Sequence, residues 1–344
     1  MIRQLLNTLF VQSQGAYLRL DHETLKLEVE REVKLQVPLH HLGGMVLFGN
    51  VLVSPFLLHR FASDGRSIVW LSTIGKFKGR LAGPTSGNVL LRRAQYEALN
   101  DPHRVTAIAR SIVAGKVRNT RSIVQRAARE SVSSEDKALL EETSRALGSV
   151  LKALRRAYGL TEVRGLEGQA GRVYFETLSK MVRNGREDYA FSGRNRRPPR
   201  DRMNALISFV YMLVLSDCVS ACEGVGLDPQ FGYLHALRSG RPSLALDLME
   251  ELRPILSDRL ALSLINRRQL RPKDFDERTG GAVHLNDAGR KTVLVAYQKR
   301  KQEEVGHPVL GQQVPLGLVP HVQARLLARH LRGDTELYAP FTPK

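Results

Sequence analysis

Cysteine is nearly absent: the 344 residues contain only Cys218 and Cys222. Four apart on an expected helix, they suit neither a disulfide framework nor a four-ligand zinc site, and they fit a reducing cytoplasm. Long apolar runs are missing as well. The nearest, "MNALISFVYMLVLSDCV", is broken by Asn204, Ser208 and Asp217, so no membrane-spanning segment is expected. The N-terminal "MIRQLLNTLFVQSQ" has no small-residue cleavage site behind a long apolar core, so it does not read as a secretory signal. A GxxxxGK[ST] run is lacking too, which argues against a phosphate-cradling nucleotide loop. Acid is the scarcer charge. Asp plus Glu number 34 against 52 Lys plus Arg, a net charge of +18. An excess of that size selects anionic partners, of which nucleic acid is the commonest. A membrane surface is the rival partner. It ranks last, because no strongly amphipathic basic helix carries exposed aromatics.

What is present divides in two, as the length suggests. Residues 1–85 read as short strands. "GAYLRLDHETLKLEV" alternates apolar and polar around an Asp-His-Glu-Thr turn, a hairpin signal. "EVKLQVPL", "MVLFGN" and "SIVWLST" continue the pattern. One inserted helix is expected in "SPFLLHRFASDG", with Ser54 as N-cap, Pro55 at its first position and Gly65 beyond its end. After the turn-rich "LAGPTSGN" the period changes to three and four, and residues 86–344 read as helical. Helices are expected at about 165–184, 201–223, 243–270 and 317–332, with one small hairpin in 274–287. The expected class is therefore α+β: a small sandwich-like β-rich domain followed by a larger all-α domain. The first 85 residues carry a net +4 and the remainder +14, so the helical domain is the expected nucleic-acid platform. Its sharpest basic patch is "GRNRRPPRDR", a loop whose Arg194, Arg196, Arg197 and Arg200 are candidate phosphate contacts. Arg238 and Arg241, in the turn after His235, are further candidates.

The candidate chemistry lies in "HALRSGRPSLALDLMEEL". At 100° per residue Leu244, Leu248, Leu252 and Ile255 form one stripe. Asp247 and Glu250, three apart, are expected as neighbours on a shared flank, where like charges repel and a divalent cation would relieve the repulsion. Glu251 projects nearer the apolar stripe, as a partner for a buried Arg or as a ligand. The turn residues Ser239, Gly240 and Pro242 allow His235 to fold back over the helix start. One imidazole with carboxylates suits Mn²⁺ or Mg²⁺. "GLEGQAGRVYF" adds Glu167, expected near the opening of a helix. Each residue also has a plainer reading: Glu167 as a first-turn acid, His235 as a hydrogen-bonded structural histidine, Asp247 and Glu250 as a solvated face.

"GLEGQAGRVYF", "PPRDRMNALISFVYMLV", "GLDPQFGYLH" and "GRPSLALDLMEELRP" occur in that order. Together they resemble the CRISPR-associated spacer-acquisition integrases, the "Cas-one" family, and within it the subtype I-C branch. The resemblance implies a metal-dependent DNA endonuclease and integrase. Its ligands and catalytic residues would be Glu167, His235 and Glu250, supported by Asp247, Asn204, Tyr174 and Tyr211. Arg172 would face DNA. The implied cofactor is Mn²⁺ or Mg²⁺. The implied reaction is transesterification, joining 3′-hydroxyl ends of short DNA fragments into a CRISPR array. The implied assembly is a homodimer made through residues 1–85, with a small second adaptation protein, "Cas-two". The competing reading is a non-catalytic basic scaffold in which the same acids are structural.

Overall fold

The computed structural model describes residues 8–75, 77–81, 83, 89–195 and 198–343. The chain forms two compact units, Met1–Gly87 and Asn88–Lys344.

The first unit runs β1 (Thr8–Val11), β2 (Ala16–Asp21), β3 (Thr24–Val29), β4 (Glu32–Pro38), β5 (Gly44–Phe48), β6 (Val51–Val53), α1 (Pro55–Ser63), β7 (Ser67–Leu71) and β8 (Phe77–Leu81). These strands make two four-stranded sheets, ordered β1-β5-β7-β8 and β4-β3-β2-β6. The β2–β3 hairpin closes with Asp21 opposite Thr24, and His22 takes a positive φ of 51° in its two-residue turn. Leu18 and Leu25 from one sheet share a core with Met45, Leu47 and Ile68 from the other, and with Leu57 and Phe61 of α1. Ser54 caps α1 by accepting the Leu57 N–H, and Pro55 supplies a first residue that has no N–H to satisfy.

The second unit contains α2 (Val89–Ala98), α3 (Pro102–Glu130), α4 (Ser134–Leu154), α5 (Leu160–Thr177), α6 (Arg202–Val225), α7 (Ser243–Leu252), α8 (Arg259–Asn266), α9 (Asp287–Gln302) and α10 (Val319–Leu331). It is not all-α, as the sequence had suggested: the small hairpin expected in 274–287 is present, and a second, unexpected one joins it. β9 (Phe275–Arg278) pairs with β10 (Ala282–Leu285), and β11 (Glu304–His307) pairs with β12 (Gln312–Pro315). Positive-φ glycines close both hairpins, Gly280 and Gly281 in the first and Gly311 in the second. The expected helix over 243–270 is interrupted by a π-helical turn, Arg253–Asp258, and ends at Asn266. Pro254 lies in that wider turn, which accommodates a residue without an N–H. α6 is the exception to the membrane expectation: by length and composition it is apolar enough to cross a bilayer. Its apolar residues instead pack inside the unit, with Leu206, Val210, Val214 and Cys218 fully buried. A helix apolar on most sides is what a core position between several neighbours requires.

Candidate active site

Four elements of the second unit deliver side chains to one point. α3 brings Lys116, α5 brings Glu167, α7 brings Glu250, and the connection between α6 and α7 brings His235. Lys116 Nζ pairs with Glu167 and lies 2.7 Å from Glu250 Oε2. Glu250 Oε1 lies 2.7 Å from Arg253 Nη1 and 3.6 Å from His235 Nε2. The three residues expected from the sequence, Glu167, His235 and Glu250, are thus brought together. Glu167 does not open its helix: α5 begins at Leu160, so the first-turn reading fails.

Two cations of this cluster, Lys116 and Arg253, were not foreseen. Burial alone would push the Glu250 carboxyl up. Arg253, then Lys116 and His235, outweigh it and hold Glu250 at about 2. Lys116 is likewise opposed by burial and raised by Glu250 and Glu167, so it stays an ammonium.

Asp247 is not Glu250's repelling neighbour. Its side chain is fully buried and points to the loop above α7. Oδ2 accepts the N–H groups of Tyr233 (2.5 Å) and Leu234 (2.9 Å), and Oδ1 accepts the N–H of His235 (2.9 Å). Oδ1 also lies 2.7 Å from His235 Nδ1. Three backbone donors make Asp247 a carboxylate anchor, and an Nδ1–H donated to it leaves Nε2 free on the Glu250 side. The loop can sit this close because residue 232 is glycine. A Cβ there would stand 2.6 Å from Asp247 Oδ2 and 2.5 Å from the Ser243 carbonyl carbon.

Glu251 faces the opposite way and pairs with neither an arginine nor the cluster. It accepts from Gln323 Nε2 at 3.1 Å, from the Tyr338 hydroxyl and from the Phe341 N–H. Burial pushes it up to about 7, against the pull of those three donors.

Beside Lys116 and Arg253 lies a buried acid the sequence did not reveal. Asp258 accepts the hydroxyls of Tyr211 (2.9 Å) and Tyr174 (3.1 Å). Burial raises it to about 6, although both hydroxyl bonds and Arg253 act in the opposite sense. The Arg253 and Arg194 guanidinium carbons lie 4.9 and 5.3 Å from the Tyr211 ring centroid. Arg194 also donates to Asn204 Oδ1 (2.6 Å) and Ser208 Oγ (3.0 Å). Asn204 is fully buried, and its amide nitrogen donates to Gly193 O and to Asp201. Asn204 therefore supports the cluster indirectly, by tying the basic loop and Arg194 to α6. Of the other arginines expected to meet phosphate, Arg172, Arg200 and Arg238 are exposed and Arg241 is half-buried. Arg196 and Arg197 lie outside the described residues.

The donor types, two carboxylates and one imidazole nitrogen, suit a divalent cation, and Glu250 Oε2 is held by Lys116 Nζ at 2.7 Å. Among the described residues no group of three His, Cys, Asp or Glu side chains stands at metal-holding spacing. The positive charge between the two glutamates is that of Lys116.

A β-rich unit joined to a helical unit, with a buried carboxylate–imidazole cluster ringed by cations, defines an α+β protein equipped to act on phosphodiesters. Known proteins make the class specific. The family model described as CRISPR associated protein Cas1 matches residues 9–299. A CRISPR-associated endonuclease Cas1 of Moorella thermoacetica is 61% identical over 337 residues, 98% of each chain. Among solved structures, a casposase bound to integration product superposes with a TM-score of 0.83 at 21% identity, over 97% of this chain and 92% of that one. A chain of a Cas6-RT-Cas1–Cas2 complex gives 0.82 at 21% identity, over all of this chain and 37% of that one. The chain belongs to the Cas1 family of CRISPR-associated endonucleases.

Proposed function

We propose that Glu167, His235 and Glu250 hold Mn²⁺ or Mg²⁺ and that the centre joins the 3′-hydroxyl ends of short DNA fragments into a CRISPR array. The observation that carries this reading is their convergence from three separate segments, with the Lys116 ammonium held between the two glutamates and His235 Nε2 3.6 Å from Glu250. Such a cation, when bound, supplies Lewis-acid charge to a phosphodiester under attack. The protein's own part is positioning. Asp247 holds the His235 ring with Nε2 toward Glu250. Arg253 and Lys116 place positive charge where a phosphate's negative charge develops. Tyr174 and Tyr211, tethered to Asp258, line the approach. Arg172, Arg200, Arg238 and Arg241 contact the DNA backbone, with Arg194 acting through Tyr211.

The remaining assignments follow the family. The first unit forms the homodimer, and a Cas2-type protein joins the assembly, as in the complex of the similarly folded chain. The motif segments favour the I-C branch, and the scarcity of cysteine favours a reducing, cytoplasmic site of action. Purified Glu167→Ala and His235→Ala variants in Mn²⁺ are expected to lose strand joining while retaining DNA affinity. Joining at parental rates in both variants would refute the site.

A further inference from the structure

A second polar cleft of about 470 Å³ opens in the helical unit, between the C-terminal end of α3, the start of α4, the segment after α5, α8 and α9. Eight basic and three acidic side chains line it, and no aromatic does. Two of the acids are already matched: Glu130 is held by two arginines, at 2.7 and 3.4 Å, and Asp136 by an arginine and a lysine, at 2.6 and 3.3 Å. The third, Glu303, is paired with Arg300. The side chains of Arg259, Arg267 and Lys299 pair with no carboxylate among the described residues, and Arg300 has a buried Nε without an acceptor. The charges also press on one another. Partial desolvation, then Arg300 and Arg126, hold the Arg259 guanidinium below its usual value. The lining therefore carries an excess of five positive charges, which attracts anions.

We infer that this cleft is a second nucleic-acid site, binding the phosphodiester backbone of the DNA away from the reaction centre; this rests on the reading of the centre given above. Without aromatics it offers no stacking platform, while spread guanidinium groups suit a run of phosphates. The cleft shares a helix with the reaction centre. Lys116 and Arg126 lie on the same helix, ten residues apart, so the cleft begins about 15 Å along α3 from the reaction centre. A stacked strand covers that span in roughly four to five nucleotides.

The test uses the full chain, a short DNA duplex and a salt series. Arg259→Ala/Arg267→Ala is expected to weaken binding and to lower the slope of log affinity against log salt by roughly two. Arg259→Lys/Arg267→Lys is expected to restore most of that slope, which a folding defect would not. An unchanged slope and affinity in the alanine variant would overturn the inference. So would inorganic phosphate binding that the alanine variant loses while duplex binding stays parental, because the cleft would then serve a small phosphate ligand. The reaction centre is judged separately, on Glu167→Ala, whose salt slope is expected to match the parent while strand joining disappears.

Discussion

Asp247 grips His235 twice through one oxygen: Oδ1 meets the histidine's backbone N–H at 2.9 Å and its ring Nδ1 at 2.7 Å. Main chain and side chain are therefore positioned by a single atom. Asp247→Asn keeps the shape but presents an amide to groups that donate. Metal affinity or strand joining is expected to fall about 10–100-fold, with the larger loss in kcat because the ring is misaligned rather than absent. Titration of Mn²⁺ by calorimetry, beside joining rates, checks this. Parental values for both would show that the grip is incidental.

Lys116 supplies the positive charge between Glu167 and Glu250. In Lys116→Ala the buried Glu250 keeps only Arg253 and His235, and breaking a buried pair costs about 3–5 kcal/mol. The melting temperature in chelator is expected to drop roughly 6–15 °C. Mn²⁺ is expected to raise it more in the variant than in the parent, because a cation replaces the missing charge. Thermal melts with chelator and with Mn²⁺ read both effects; equal Mn²⁺ shifts in the two proteins would count against a shared place for ammonium and metal.

Glu251 gives the protein a pH slope of a definite sign. Its folded value, about 7, stands above the ordinary 4.5, so between those values the folded state binds more protons than the unfolded one. Stability is then highest below pH 4.5 as far as this group is concerned, and it declines as pH rises to 7, by at most about 3 kcal/mol. Glu250, held at about 2, acts oppositely, and its contribution is lost only as pH falls below 4.5. Urea denaturation at pH 5 and pH 7 should show a decline in the parent that is clearly smaller in Glu251→Gln, the remainder including that of Asp258, itself raised to about 6. The comparison is of slopes, since glutamine also turns an N–H₂ toward donors and lowers stability at every pH.

Local chemistry was legible where it is written in neighbouring residues. Ser54, Pro55 and Gly65 bracket α1 within a dozen positions, and the Asp21–Thr24 turn closes its own hairpin. The trio Glu167, His235 and Glu250 was legible through resemblance rather than spacing. Periodicity placed Asp247 beside Glu250 because it gives a direction around α7 and says nothing of the loop lying above. Lys116 was invisible for a related reason: on a helix that also carries six arginines, only the convergence of α3, α5 and α7 distinguishes the one cation buried between acids. Asp258 and its two tyrosines lie 47 and 84 residues apart, beyond the reach of any local pattern. α9 and the second hairpin were missed because α9 buries few apolar residues and the strands of the hairpin are only four residues each.

Glu251 also sets a clock. Its last partner, the Phe341 N–H, lies 90 residues downstream. At the usual pace of synthesis those residues take about 5–20 s to appear. Until then the carboxylate next to Glu250 has no Tyr338 or Phe341 to bury it, and α7 lacks one wall. The side of α7 that carries Glu251 is therefore completed only after residues 338–341 have been made, long after Glu250 itself.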